Sequence, residues 1–344
     1  MYTAAIIGAG KPTHTWNKGG GHQIGYTHAA AYQRNPNVRL IGVADIVTSH
    51  LDAFNERFDT VGYTNYREML TTQRPDIVSI CTYVGLHAQM IEAAIDAGVK
   101  AVFCEKPFVA TPIQLAHIRT RIAQSQTKVA IAHVRRYRTA FQHARQLISN
   151  GSIGTPLACV AGIDGWDLSE WGSHWLDMYR FLLDEAPISW VMGQARVRDT
   201  RGYGHAMEDH ATVHIGFVNG TRGILDGGKA LPGSDIMTIV GSAGMITMHS
   251  EESFTVINAS GATTHDYTGH VTWDGCWDAS IAGIVEWLNS NTEPTIGFTH
   301  TWQSAELNLA SYVSMVERDR IDLPMQSTLD MWPVELLVPP EASV

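Results

Sequence analysis

The sequence predicts an α/β protein in which an N-terminal, doubly wound parallel sheet is followed by an α+β domain with a large, mostly antiparallel sheet. In the first 134 residues, short apolar runs alternate with segments whose apolar residues recur at helical spacing. From about residue 187 to 258, runs of strand type are separated by turn signals such as Asn219-Gly220. We therefore expect two domains, residues 1–134 and 135–344.

The elements of the first domain follow from this alternation. Near-continuous apolar runs are typical of strands buried on both faces of a parallel sheet, and the predicted strands are TAAIIGAG (3–10), VRLIGVAD (38–45), DIVSICT (76–82), VKAVFCEK (99–106) and KVAIAHV (128–134). Gly98 stands where a helix-ending glycine belongs, and Thr111-Pro112 is a typical helix start. In the second domain we expect helices near 137–150, 170–184, 278–290 and 300–317.

Composition excludes several classes of function. The hydrophobic share of 44%, the charged share of 17% and the formal charge of −10 describe an acidic globular chain, which argues against nucleic acid or an anionic membrane as the main partner. No apolar run approaches membrane-spanning length. The four cysteines are widely spaced and form no CxxC pair, so we expect a thiol-reduced, cytoplasmic protein.

A glycine motif follows the first predicted strand. Gly8 and Gly10 begin a dinucleotide-binding fingerprint, and Gly25 serves as its third glycine if residues 11–24 are an inserted loop. The second strand ends at Asp45, an acid placed to accept hydrogen bonds from an adenosine ribose, which favours NAD over NADP. The motif predicts a Rossmann domain that binds NAD. The alternative is that the two glycines only form a tight turn at the end of the strand. The inserted loop, with His14, Trp16, Lys18 and His22, either reaches the cofactor or substrate or is an inert excursion.

The tripeptide Glu105-Lys106-Pro107 at the end of the fourth strand points to one family of dinucleotide-binding proteins. It resembles the Glu-Lys-Pro signature of the glucose–fructose oxidoreductase and inositol dehydrogenase family, Gfo/Idh/MocA. Segments similar to that family continue along nearly the whole chain, among them DIVSICTYVGLHAQMIEAAIDAG, RRYRTAFQHARQLISNGSIGTP, SHWLDMYRFLL and EDHATVHIGFVNGTRG. The resemblance implies a two-domain NAD(P)-dependent oxidoreductase acting on sugars, polyols or their derivatives, and a homodimer or homotetramer formed through sheet faces.

The resemblance also implies roles for individual residues. Lys106 corresponds to the family's active-site lysine and His174 to its catalytic histidine, while Glu170 replaces the usual aspartate four residues earlier. Positions near the nicotinamide or its ribose are Thr82, Tyr83, His87, Glu105, Lys106 and Arg136. For the substrate we expect contacts from Lys106, Trp166, Glu170, His174 and Asp177.

The chemistry of these residue types agrees with alcohol oxidation. A histidine, with an ordinary pKa near 6.5, can take the hydroxyl proton, and a lysine ammonium can stabilise the developing alkoxide. Glu170 and His174 lie four residues apart and share a face of a predicted helix. Each residue has a structural alternative: Lys106 as a surface cation, His174 as a core histidine, and Glu170 as the partner of Asp167 in a capping box.

Two functions remain open at this point. The first is an NAD-dependent dehydrogenase of a sugar, glycoside or cyclitol. The second is an NAD-dependent hydrolase or lyase that cleaves glycosides through a keto-sugar, so that oxidation and elimination leave NAD unchanged overall. A cofactor-binding scaffold without activity is a third, non-enzymatic reading. The sixteen histidines, HAMEDH (205–210) included, show no recognisable ligand set, so we expect no metal.

Overall fold

The structure is a computed structural model that describes residues 1–12, 23–164, 167–228 and 237–339. The chain forms two compact units, each assembled from several segments. The first unit comprises Met1–Ala110, Gln114–Val134 and Trp273–Thr301, and the second comprises Thr111–Ile113, Arg135–Thr272 and Trp302–Val344. The predicted division at residue 134 thus coincides with one passage between units, but residues 273–301 return to the first.

Parallel strands form the centre of the first unit. Its described elements are β1 (Tyr2–Ile7), α1 (Ile24–Arg34), β2 (Val38–Ala44), α2 (Thr48–Phe58), β3 (Val61–Tyr63), α3 (Tyr66–Gln73), β4 (Ile77–Ile80), α4 (Val84–Asp96), β5 (Ala101–Cys104), α5 (Pro112–Ala123) and β6 (Lys128–Ile131). The sheet has the order β3-β2-β1-β4-β5-β6. Strands β4 and β5 are buried along their whole length, as expected for a sheet covered on both faces. The prediction of a doubly wound parallel sheet is confirmed.

Two local details separate the observed unit from the predicted one. Strand β3 was not expected, because its three residues are too short for a periodic signal and none of them is fully buried. Helix α8 (Trp273–Ser290) comes from far along the chain and packs against α1. There the Trp277 ring packs at a tilt against His28 with ring centroids 4.6 Å apart, and Arg34 pairs with Asp278 at 2.7 Å.

The second unit is built on a large sheet. Its described elements are α6 (Thr139–Ser149), β7 (Pro156–Asp164), α7 (Ser173–Leu182), β8 (Ile188–Gly202), β9 (His205–Phe217), β10 (Arg222–Gly228), β11 (Met237–Gly241), β12 (Gly244–Met248), β13 (Ser253–Asn258), β14 (Gly261–Asp266), α9 (Phe298–Glu317) and β15 (Ile321–Asp322), with 3-10 turns at Val134–Tyr137 and Pro333–Leu337. The order is β14-β13-β12-β11-β7-β10-β9-β8-β15. Among the described strands of this second sheet, β7 and β10 form the one parallel pair, so the predicted, mostly antiparallel sheet is confirmed.

The two faces of this sheet differ in composition. One face carries Val191, Val213, Leu225 and Ile239 into a core shared with residues of α6, α7 and α9. On the other face a row of paired residues crosses the sheet from Met192 through His214, Ile224, Val160 and Thr238, and these side chains are exposed or half-buried. The sheet therefore has one core face and one partly apolar outer face.

Candidate active site

The carboxyl ends of four neighbouring strands of the first unit bring its predicted site residues together. The chain leaves β1 at Gly8, β2 at Asp45, β4 at Cys81 and β5 at Glu105. Backbone hydrogen bonds continue the ladder just past the strands: Gly8 donates to Ala44, Cys81 to Ile7 and Glu105 to Ile80. Because β2, β1, β4 and β5 are adjacent and parallel, these residues line one edge, where ligands of open α/β sheets bind.

The three glycines of the fingerprint are each required by the backbone. Gly8 has φ +98°, and a Cβ there would lie 2.6 Å from the Cys81 carbonyl oxygen. Gly10 has φ +76°, which L-residues rarely adopt. At Gly25 a Cβ would lie 2.3 Å from the Gly8 carbonyl oxygen, so the start of α1 packs directly on the turn. This is the close packing of strand, turn and helix that a bound pyrophosphate requires. The residues present therefore fit a dinucleotide.

Asp45 connects the end of β2 with the glycine turn. Its Oδ2 accepts a hydrogen bond from the Gly10 N–H at 3.0 Å, and its Oδ1 accepts one from the Val47 N–H at 2.9 Å. The His50 Nδ1 lies 3.4 Å from Oδ1. The carboxylate is thus fixed at the place where the fingerprint puts the adenosine ribose.

Glu105 and Lys106 follow β5, and Glu105 begins a buried series of contacts between polar side chains. A Glu105 carboxylate oxygen accepts from the Lys106 N–H at 3.2 Å, and the other lies 3.0 Å from the His28 Nε2. The second nitrogen of His28 lies 2.8 Å from the Ser79 hydroxyl, which in turn contacts the Tyr32 hydroxyl at 2.7 Å. The sequence analysis did not predict a role for His28, Ser79 or Tyr32. A signal for His28 was available, because it is a polar residue among the small residues of α1.

The segment after β4 carries three further predicted cofactor contacts. The Thr82 hydroxyl is directed to the Met90 sulfur at 3.3 Å, and Tyr83 precedes α4 with 41% of its surface exposed. His87 is buried, with Nε2 2.9 Å from the Thr82 carbonyl and Nδ1 2.9 Å from the Pro107 carbonyl. Burial lowers the pKa of His87 more than these carbonyls raise it. Its ring therefore links the chain after β4 to the chain after β5, next to Lys106.

The second unit carries Glu170 and His174 at the start of α7. A π-helical turn, Leu168–Gly172, runs directly into α7, and Asp167 caps it by accepting from the Glu170 N–H at 3.2 Å. This capping bond agrees with the structural alternative given above for Glu170. His174 is 8% exposed, and its ring centroid lies 6.2 Å from that of Trp171. Glu170 is 7% exposed and lies beside His205, which sequence reasoning did not connect with it.

Arg136 and Asp177, the remaining predicted residues of this unit, pair with each other. The Arg136 guanidinium binds both Asp177 oxygens, at 2.8 Å and 2.6 Å, and also Glu185 at 2.6 Å. The Ser304 hydroxyl donates to Asp177 at 2.8 Å. Arg136 and Asp177 are completely buried. Although burial opposes its charge, these carboxylates raise the pKa of Arg136. In this structure the pair fixes α7 from inside; their predicted cofactor and substrate contacts stay predictions.

Comparison with known protein families shows to which family this chain belongs. The profile of the GFO/IDH/MocA oxidoreductase family, NAD-binding Rossmann fold, matches residues 19–133, and that of the GFO/IDH/MocA C-terminal domain matches residues 141–247. The chain belongs to the GFO/IDH/MocA oxidoreductase family. The resemblance predicted from the sequence is thereby confirmed, and with it an NAD-binding oxidoreductase domain.

Individual relatives and a solved structure show the range of similarity. The inositol 2-dehydrogenase of Rhizobium meliloti (strain 1021) is 27% identical over 70% of this chain and 77% of its own. The D-glucoside 3-dehydrogenase of Escherichia coli (strain K12) is 25% identical over 58% of this chain and 56% of its own. A levoglucosan dehydrogenase solved with NADH and L-sorbose superposes with a TM-score of 0.79 at 18% identity, over 94% of this chain and 99% of its own.

The remaining sequence predictions concern Trp166 and the inserted loop, a metal site and a membrane span. Trp166 and most of the inserted loop, with His14, Trp16, Lys18 and His22, lie outside the described residues. Over the part of the chain that the structure describes, no group of three His, Cys, Asp or Glu side chains could hold a metal ion. No described helix has the length and apolar character needed to cross a membrane.

Proposed function

We propose that this chain is an NAD-dependent dehydrogenase of a secondary alcohol in a sugar, glycoside or cyclitol. The observation that carries the proposal is the position of Lys106, the second residue after β5, at the sheet edge that also holds the glycine turn and Asp45. An ammonium donor beside a dinucleotide site suits the polarised oxygen of an alcohol. Relatives of this chain include an inositol 2-dehydrogenase and a D-glucoside 3-dehydrogenase, which supports a polyol or pyranose substrate.

The cofactor in this proposal is NAD, with NADP the weaker ligand. When bound, it would accept or return the hydride of the carbinol carbon. The Asp45 carboxylate would receive the ribose hydroxyls and would repel a 2′-phosphate. Gly8 and Gly10 would let the backbone approach the pyrophosphate. The test is a binding titration: we expect NAD to bind at least about tenfold more tightly than NADP, and Asp45→Ser to reduce that ratio. Equal affinities in the parent protein would contradict the assignment.

Lys106 and His174 are the proposed catalytic pair. The His174 imidazole takes the proton of the substrate hydroxyl, while the Lys106 ammonium donates to the same oxygen and stabilises its developing charge. Glu170 lies on the turn that leads into the helix of His174, and its carboxylate is proposed to accept a hydrogen bond from a neighbouring substrate hydroxyl. Thr82, Tyr83 and His87 are proposed to lie near the nicotinamide or its ribose. The identity of the pair rests on the family resemblance.

The experiment is a turnover assay with matched lysine variants. Parent enzyme with NAD and a panel of pyranoses, cyclitols and glycosides should show growth of reduced-nicotinamide absorbance. Lys106→Met and His174→Asn should each lower turnover by about 10²- to 10⁴-fold while NAD still binds. Lys100→Met is the control, because Lys100 is exposed and pairs with Asp76 at 2.8 Å.

Two results would overturn this assignment. Undiminished turnover by Lys106→Met would remove the lysine from the mechanism. NAD binding without net reduction, together with release of an aglycone from a glycoside, would replace the dehydrogenase by the redox-neutral hydrolase or lyase.

A homodimer or homotetramer is proposed through the outer face of the large sheet. That face exposes Val160, Met192, Met245 and Ile257, and large exposed apolar patches mark interaction sites. Sedimentation velocity should give two or four times the chain mass of 37.8 kDa; Val160→Glu should yield monomers, and a parent monomer would contradict the proposal. The four cysteines are free and buried, which suits the proposed cytoplasmic setting.

A further inference from the structure

A buried cluster of ionisable side chains lies beside the start of α7, and the proposed function uses only one of them. Asp167 and Glu170 come from the turn before the helix, and His205 and Glu208 come from β9. Their exposed fractions are 1%, 7%, 0% and 6%. Burying an ionisable group costs free energy unless the group has a partner, so the partners of these four side chains indicate what the cluster does.

The orientation of His205 follows from its backbone partner. Its Nδ1 lies 2.6 Å from the Ala206 carbonyl oxygen, and because a carbonyl can only accept, Nδ1 carries a proton. The Nε2 has no hydrogen-bond partner among the described residues, and the Glu170 Oε1 lies 3.5 Å from it, which is within ion-pair distance. The Trp332 ring lies over the imidazole with centroids 3.9 Å apart, which fixes the plane of the ring.

The residue whose carbonyl contacts His205 is itself anchored. The Ala206 N–H donates to the Glu335 carboxylate at 2.8 Å, and Arg201 donates to both oxygens of that carboxylate at 2.9 Å and 2.8 Å. A series of contacts therefore runs from the Arg201–Glu335 pair through the backbone of Ala206 and the His205 ring to Glu170.

The charges around the ring favour its protonated form. The groups that face it are Glu170 and Asp167 from the turn, Glu208 from β9 and Glu335 from the last 3-10 turn. Burial lowers the pKa of His205, but the contact with Glu170 and the Ala206 carbonyl outweigh it, so the pKa is raised. A protonated ring has a donor at Nε2 as well, aimed at the Glu170 carboxylate.

We infer that His205 is a positioning residue for the reaction: its imidazolium holds the Glu170 carboxylate in the orientation in which that carboxylate meets the substrate. The inference rests on the proposed function, in which Glu170 contacts a substrate hydroxyl. A carboxylate whose orientation is fixed by a neighbouring charged group loses less conformational freedom when the substrate binds.

The chemistry of amide substitutions gives a sharp test. In His205→Gln the amide nitrogen takes the place of Nε2 and keeps a donor for Glu170, whereas in His205→Asn the amide nitrogen takes the place of Nδ1 and leaves Glu170 without one. Glu170→Gln and the Glu170→Gln/His205→Asn double variant complete a thermodynamic cycle. His210→Asn is the control, since His210 lies on the same strand, half-exposed, and pairs with Asp226 instead.

The assay is steady-state turnover of the full-length enzyme with NAD and either myo-inositol or methyl α-D-glucoside, whichever the panel shows to be oxidised. We expect His205→Asn to lower kcat/KM by about 10- to 100-fold, the effect of losing one buried contact with a charged group, at unchanged NAD affinity. His205→Gln should recover most of the loss. In the Glu170→Gln background, His205→Asn should change kcat/KM by less than about threefold, because the partner is already gone.

Additive losses in the double variant, or full activity of His205→Asn beside an impaired Glu170→Gln, would overturn the inference. So would full activity of Glu170→Gln, which would leave the dehydrogenase itself intact. A second readout does not depend on turnover: the NMR titration of the His205 ring should move to lower pH in Glu170→Gln. If parent enzyme oxidises no substrate, the proposed function fails, whereas an unmoved titration refutes the Glu170–His205 coupling.

Discussion

The proton of Asp167 gives the most direct physical test of the buried cluster. Burial, followed by the charges of Glu208 and Glu170, raises the pKa of Asp167 to about 8. Its Oδ2 accepts the capping bond, and its Oδ1 is buried without a hydrogen-bond partner among the described residues, so Oδ1 can carry the proton. In the unfolded chain this carboxyl ionises near its ordinary pKa of about 3.9. Between these values the Asp167 carboxyl holds one proton more in the folded protein than in the unfolded chain.

The sign and size of the effect follow from proton linkage. Where the folded state binds one extra proton, the free energy of unfolding falls by about 1.4 kcal/mol for each unit of rising pH. From pH 5 to pH 7 this is about 2.7 kcal/mol. Asp167→Asn keeps an oxygen that accepts the Glu170 N–H but has no proton to lose, so this contribution disappears.

The assay is thermal unfolding of the full chain, without NAD, at pH 5, 6 and 7. One kcal/mol corresponds to about 2–4 °C in Tm for a unit of this size. The Tm of Asp167→Asn minus that of the parent should therefore rise by about 5–10 °C from pH 5 to pH 7. Asp266→Asn is the control: Asp266 is exposed and its pKa is lowered by hydrogen bonds from Thr268, so its effect is constant over this range. A Tm difference for Asp167→Asn that stays constant or falls with pH would refute the reasoning.

Three further predictions concern the frame of the site. Gly8→Ala should weaken NAD binding by more than about tenfold, because its φ is +98° and its Cβ would lie 2.6 Å from the Cys81 carbonyl; calorimetric titration measures this, and parent-like affinity would contradict it. Arg136→Lys should lower the free energy of unfolding by about 3 kcal/mol in urea, because a lysine cannot bind both oxygens of buried Asp177; a change below about 1 kcal/mol would count against a structural pair. Burial raises the pKa of the Cys81 and Cys104 thiols well above the usual range, so a thiol reagent should label them about a hundredfold more slowly in folded than in urea-unfolded protein; fast labelling of folded protein would disprove their burial.

The parts of the fold that depend on periodicity could be predicted from the sequence. Strands β4 and β5 are short, mostly apolar runs, and the glycine turn and Asp45 follow their strands directly, so topology alone places them on one edge. Strand β3 and the return of α8 to the first unit could not be predicted. The first is too short to have a period, and the second depends on tertiary contacts with α1 that no local pattern contains.

The buried cluster shows why site residues are harder to predict than strands. His205 and Glu208 are three residues apart, which in a regular strand would put them on opposite faces. The β8–β9 pairing has register shifts near Val197 and Arg201, and both side chains are buried all the same. Alternation fails where a strand bulges, and bulges are frequent beside functional sites. Asp167 was visible as a helix cap, but its proton depends on neighbours far away in sequence.

The discontinuous first unit has a consequence for synthesis on the ribosome. Helix α8 packs on α1, yet more than two hundred residues separate Arg34 from its partner Asp278. The dinucleotide-binding unit therefore cannot be completed until the nascent chain has emerged through residue 301, by which time most of the other unit has been translated. A fragment ending at residue 134 would leave His28 without the Trp277 ring, and a chimera between relatives that exchanges this unit must transfer three separate stretches of gene.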